Sequence, residues 1–98
     1  MTTLPDEEQA RDLARSIVEL KLAACVNILP RMTSVYKWQG KLESGHEHLL
    51  LIKTRASCIE ELQQHIRKVH PYELPEIVVV PIVDGYPPYL NWITESVI

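Results

Sequence analysis

His70 is the side chain in this sequence with the most chemistry within its reach. It stands in Val69-His70-Pro71-Tyr72-Glu73-Leu74-Pro75-Glu76, at the end of a helical pattern, with two prolines and three polar side chains crowding the turn. An imidazole held in such a corner is a candidate ligand for Cu²⁺ or another divalent cation, histidine being the commonest side-chain donor to metals. The same position also suits a helix C-terminal cap, where an imidazolium meets the negative end of the dipole. One ligand makes no site. His46 and His48 lie two apart on a predicted strand and so share a face, but they need a third group to hold an ion. The Cys/His pairs of a structural zinc site are absent, and a solvated strand beside Glu43, Ser44 and Glu47 is the plainer reading.

Cys58, just inside a predicted helix start, is placed where a dipole can lower a thiol, and Cys25 lies within an apolar run. Neither has a neighbouring base in sequence, so both are read as structural, reduced thiols. Glu47 and Lys53 project from one face of a predicted strand, as Tyr36 and Trp38 do from the strand before it. With Tyr72, the set Trp38, Glu47, Lys53 and Tyr72 is a candidate pocket for a small anion; an interface ion pair is the alternative. No nucleophile and base fall together and no paired carboxylates can be placed. The three glycines, Gly40, Gly45 and Gly85, assemble no phosphate loop. An enzyme is the least favoured class.

These groups need elements to hold them. Between Pro5 and Leu20, Ala10, Leu13, Ala14, Ile17 and Val18 recur at three and four residues, which predicts a helix with Asp6 as cap and Gln9 as its partner. Leu22 to Leu29 carries no charge and predicts a buried strand, interrupted by Pro30. Thr33 to Trp38 and Leu42 to Thr54 predict a hairpin turning at Gln39-Gly40, with a bulge at Ser44-Gly45. Ser57 with Glu60 reads as a capping box for a second helix whose stripe is Ile59, Leu62, Ile66 and Val69, and which Pro71 ends at His70. Glu76 to Val83 predicts a further strand, Asp84-Gly85 a turn, and Tyr89, Trp92 and Ile93 a short terminal helix. Ile77 to Val83 is apolar on both faces, so an oligomer that covers its second face is expected.

Ninety-eight residues predict one domain, of a size that often completes its burial by association. A hydrophobic content of 46% is that of an ordinary globular chain, and a net charge of −3 with scattered basic residues argues against nucleic acid as a partner. Nothing resembles a secretory signal or a membrane span, so no membrane partner is expected and the expected address is cytoplasmic.

Six segments, taken together, resemble the CutA family of divalent-cation tolerance proteins over nearly the whole chain. They are Pro5-Asp6-Glu7; Lys21-Leu22-Ala23-Ala24-Cys25; Ser34 through Lys41; Glu47 with Lys53-Thr54; His70 through Glu76; and Tyr89-Leu90-Asn91-Trp92-Ile93. The resemblance implies an α+β, ferredoxin-like sandwich in a homotrimer resembling PII signalling proteins, with a role in the response to metal ions and copper binding as the activity most often attached to it. Within that frame the alternatives are a PII-like sensor of a small ligand in clefts between subunits, and a trimeric scaffold with no ligand of its own. Two departures stand out. The family's first strand is largely missing, only Met1 to Thr3 preceding the turn, so a start upstream of Met1 is expected. Some members also carry a cysteine before that turn and a second histidine beside the first, both implicated in copper binding. Here those positions correspond to Thr2 and Val69, which leaves His70 alone and a copper site of that kind weakened or absent.

Overall fold

In the computed structural model, which describes all 98 residues, the first helix, α1 (Glu7–Glu19), starts where its cap predicts. The Asp6 carboxylate accepts from the Gln9 N–H at 2.8 Å, satisfying one of the free donors of the first turn. Ala10, Leu13, Ala14 and Ile17 form its buried stripe, and Val18 lies outside it, 41% exposed. Leu22 N–H bonds to the Ile17 carbonyl and Lys21 N–H to that of Val18, with Lys21 at φ 58°, so the helix ends in a left-handed cap made without glycine.

The sheet is built on one long strand. Strands β1 (Thr2–Leu4), β2 (Cys25–Ile28), β3 (Met32–Trp38) and β4 (Lys41–Lys53) are all antiparallel to their partners, and every pairing involves β4. Its first half, Lys41 to Glu47, pairs with β3; its second half runs between β1 and β2. The hairpin turns at Gln39 (φ 50°) and Gly40 (φ 81°), two left-handed residues in succession, the conformation that matches strand twist. The expected bulge at Ser44-Gly45 is not there: Ser34 faces Gly45 and Val35 faces Ser44 in an unbroken register. Gly45 has open space around it, so the ladder needs no extra residue to pass it.

Alternation along β4 decides what it presents. Leu50 is fully buried and faces the helical layer; Glu47, Leu49, Leu51 and Lys53 point to the opposite face. Leu4, Leu50 and the α1 stripe close the core with Leu62 and Ile66 of α2 (Ile59–Val69), Val26, Ile28 and Ile52 packing at its margin. Val69, expected in this stripe, is 49% exposed. Nor does Ser57 cap the helix. The chain enters α2 through a tight turn, Ala56–Cys58, with Cys58 N–H on the Arg55 carbonyl and no side-chain cap bond.

The largest difference from expectation lies at Glu76 to Val83, which forms no strand within the subunit. Val78 alone exchanges two hydrogen bonds with Met1, N–H to carbonyl at 3.1 Å and the reverse at 2.7 Å, an antiparallel pairing on the β1 side away from β4. The position is that of an edge strand in a ferredoxin-like order, but a ladder needs a partner for each group, and among the residues described only Met1 pairs with this segment. Pro81 removes one donor as well. Its apolar side chains stay open, from Val78 at 42% to Val83 at 95%.

The last helix, α3 (Pro87–Ser96), is tied down by its C-terminal end. The Arg55 guanidinium donates to the Thr94 and Ile98 carbonyls, the Cys58 thiol to Ile98, and Ile98 N–H bonds to the Lys21 carbonyl. Arg55→Met keeps the apolar stem and removes the guanidinium donors. We expect a loss of about 1–2 kcal/mol, with faster amide exchange at Ile98 as the local signature.

Candidate functional site

The open sheet face carries the polar residues singled out in the sequence. Trp38, Ser34 and Met32 share it with Glu47 because cross-strand partners, here Trp38 with Lys41 and Met32 with Glu47, point the same way. Glu47 and Tyr72 meet: the phenol donates to the carboxylate at 3.1 Å. Trp38 and Lys53 stand apart, each six residues along the ladder from the level of Glu47, or about 20 Å at strand rise. One subunit therefore presents the four as a line along a face and gathers only two of them. Lys53 has its own company, donating to the Tyr89 hydroxyl at 3.3 Å with its ammonium 5.6 Å from the ring centroid, and Tyr89 packs against Trp92.

Glu47 is a carboxylate solvated by the protein's own hydroxyls. Partial burial pushes its pKa up, but the hydroxyls of Ser34, Thr3 and Tyr72, with a smaller electrostatic pull from His70, together push it down by more, so it stays below its ordinary 4.5. Ser34 and Thr3 were not among the sequence candidates. Their signal was register: once β1 and β3 flank β4, alternation puts both on Glu47's face. Tyr72 shifts oppositely, to about 12, through burial first, then its hydrogen bond to Glu47 and that residue's charge. Its folded pKa lies above the ordinary 10, so its contribution to stability is complete below pH 10 and is lost between pH 10 and about 12. Tyr72→Phe is expected to abolish the last phenolate step in a near-ultraviolet titration and to flatten stability across that window. For Glu47 the sign reverses: its contribution is present above pH 4.5 and is lost as pH falls through the lowered value, and Glu47→Gln removes that loss.

His70 ends α2, its N–H on the Ile66 carbonyl and its backbone extended at ψ 137°, as a residue before proline should be. Its ring is held at both nitrogens. Nε2 lies 2.7 Å from the Thr3 carbonyl, which can only accept, so Nε2 carries the proton. Nδ1 lies 3.1 Å from the Tyr72 backbone N–H, which can only donate, so Nδ1 supplies a lone pair. The ring also packs on Tyr72, centroids 5.0 Å apart. A metal ligand needs a lone pair directed into free space, and His70 has none to spare. Thr2 is buried on the helix side of β1 and Val69 is an exposed aliphatic; neither adds a donor atom suited to copper. No three His, Cys, Asp or Glu side chains converge on one point. As bonded within the subunit, then, these residues do not fit a bound ion.

A second polar pair, absent from the sequence reading, joins the two helices. His65 Nε2 and Ser16 Oγ are 2.8 Å apart in a shallow hollow lined by Gln9, Asp12, Leu13 and Val69. Ser16 already donates to the Leu13 carbonyl, so the imidazole donates to Ser16 and cannot draw off its proton. The pair is a helix-to-helix tie without the makings of an activated nucleophile. Cys25 and Cys58 are both free thiols, and no helix is long and apolar enough to cross a membrane.

Comparison with known proteins adds to this geometry. A family model described as CutA1 divalent ion tolerance protein matches residues 1–96. A protein CutA homolog from Xenopus laevis is 52% identical over 95 residues, which are 97% of this chain and 63% of that one. Protein CutA from Mus musculus is 48% identical over 98 residues, 97% of this chain and 55% of its own length. The chain thus spans little more than half the length of these vertebrate relatives. Among solved structures, a divalent cation tolerance protein (Cut A1) from Thermus thermophilus superposes with a TM-score of 0.96 at 46% identity, covering 98% of this chain and 93% of that one.

Proposed function

The chain belongs to the CutA1 divalent ion tolerance family, and on that premise we propose that it acts in the response to divalent metal ions as a cytoplasmic homotrimer. The observation that carries the assembly is the apolar edge from Ile77 to Val83, open to solvent from Val78 onward. An edge of that kind invites pairing and burial by another chain. A neighbouring copy supplies both without new chemistry, and closed rotational symmetry leaves no edge over. Cu²⁺ is the first ion to test, treated as the species sensed and not as a resident cofactor. Because no complete set of donors is gathered in one chain, an ion site would need groups from more than one subunit.

A second reading is supported by the line of Trp38, Glu47, Tyr72 and Lys53 on the open face. If assembly brings the Trp38 end of one chain beside the Lys53 end of another, the cleft gains an aromatic ring and an ammonium, suited to sensing a small anion. Light scattering tests the assembly that both readings require and is expected to give three times the 11.3 kDa subunit mass. Calorimetric titration with Cu²⁺ is expected to show saturable binding tighter than about 1 μM, roughly 8 kcal/mol; absence of such binding, with a metabolite that raises the melting temperature, would favour the small-ligand sensor.

A further inference from the structure

We infer that His70 is a positioning residue, a neutral latch that sets the course of Pro71 to Val78 along β1, and is not an ion ligand in this chain. The contacts that carry this lie within one subunit and do not depend on the assembly proposed above. Leaving α2, the chain is fixed at three points. His70 Nε2–H reaches the Thr3 carbonyl, the Tyr72 N–H returns to His70 Nδ1, and the Tyr72 hydroxyl reaches Glu47 on β4. From Pro71 to Ile77 no backbone-to-backbone hydrogen bond holds the segment. The next such bond is the Val78 pair with Met1. His70 and Val78 thus grip the two ends of one short stretch, Thr3 and Met1, and the segment between them runs antiparallel to β1. Moving the imidazole moves the register in which the apolar strip after Val78 is presented.

The tautomer makes the claim exclusive. An ion on Nδ1 would take the lone pair that accepts from Tyr72, and one on Nε2 would displace the proton given to Thr3. Either way a bond that aims the segment is broken. Ligand and latch are therefore alternative roles for the same ring.

Three substitutions separate them. In His70→Asn, the side-chain carbonyl can accept from the N–H two residues on, as in an Asx turn, and so replaces the Nδ1 contact. In His70→Gln, the longer amide can donate to the Thr3 carbonyl and replaces the Nε2 contact. His70→Ala replaces neither, and none of the three carries an imidazole. We expect Val78 amide exchange to accelerate about tenfold or more in His70→Ala and by less in the Asn and Gln variants, with Cu²⁺ affinity in all three within about threefold of the unsubstituted chain. Nitrogen-detected NMR of the His70 ring is expected to show the Nε2–H tautomer, unchanged by substoichiometric Zn²⁺. Loss of Cu²⁺ affinity by tenfold or more in both amide variants would overturn the inference. So would a Zn²⁺-shifted ring, an Nδ1–H tautomer, or Val78 exchange indifferent to His70→Ala. If the chain takes up no Cu²⁺ at all, the ion-response reading weakens while tautomer and exchange still decide the latch.

Discussion

Leu50→Ala is expected to cost about 2–5 kcal/mol, the range for truncating a fully buried leucine, and to lower the thermal midpoint by about 10 °C or more. Leu50 is fully buried at the middle of the strand on which every other strand depends. It pairs with Thr2 on one side and Ile28 on the other, and its side chain faces the layer made by Ala10, Leu13, Ala14 and Ile17 of α1 with Leu62 and Ile66 of α2. Those neighbours come from both helices and the flanking strands, so no single element can shift to fill the space, and the cost should fall in the upper part of the range. A total stability of about 5–15 kcal/mol would be reduced by a large fraction. Urea unfolding with unchanged slope and a lowered midpoint is the expected record. Arg15→Ala, on the exposed face of α1, is the control and should stay within about 0.5 kcal/mol.

That core was readable because it rests on local periodicity. Ala10, Leu13, Ala14 and Ile17 recur at helical spacing, and all four are buried; Asp6 caps where it should, and Gln39-Gly40 turns the hairpin. Where local signals failed, a longer-range contact had decided. Ser57 and Glu60 spell a capping box, but the chain arrives from Arg55, which is turned toward Thr94 and Ile98, and it enters the helix by a tight turn with no side-chain cap. Ser44-Gly45 reads as a bulge, yet β3 is long enough to pair straight through it. Glu76 to Val83 has the composition of a strand, but composition cannot supply the partner that makes a ladder.

The site divides in the same way. Alternation placed Glu47 with Lys53 on one face of their strand and Tyr36 with Trp38 on one face of the strand before it, and the register brings the two sets to the same side of the sheet. Alternation could not reveal that β4 spreads them over its length, because sharing a face fixes direction and leaves distance open. His70 was legible as the polar end of α2. Its commitment to Thr3, 67 residues away, was not, and that contact turns a candidate ligand into a ring with no lone pair free.

On the proposed assembly, the double substitution Val80→Asp with Ile82→Asp is expected to reduce the scattering mass from three subunits to one of 11.3 kDa. Val80 and Ile82 are 63% and 60% exposed within the subunit, and, two apart, they share a side of the segment when it pairs as a strand. In a lone chain the new carboxylates would stay in water, and substitutions at such positions usually change stability by no more than about 0.5 kcal/mol. In a trimer that covers the strip, each subunit would have to desolvate two charges, at several kcal/mol apiece where they find no partner, and the strip from Ile77 to Val83 itself holds no Lys or Arg. Far-ultraviolet circular dichroism should be retained while the mass falls, which separates dissociation from unfolding. A variant that keeps the unsubstituted mass would show that this strip is not the contact between copies, and Val35, Tyr36 and Leu42 of the hairpin, 67%, 48% and 76% exposed, would then be the apolar surface to substitute next.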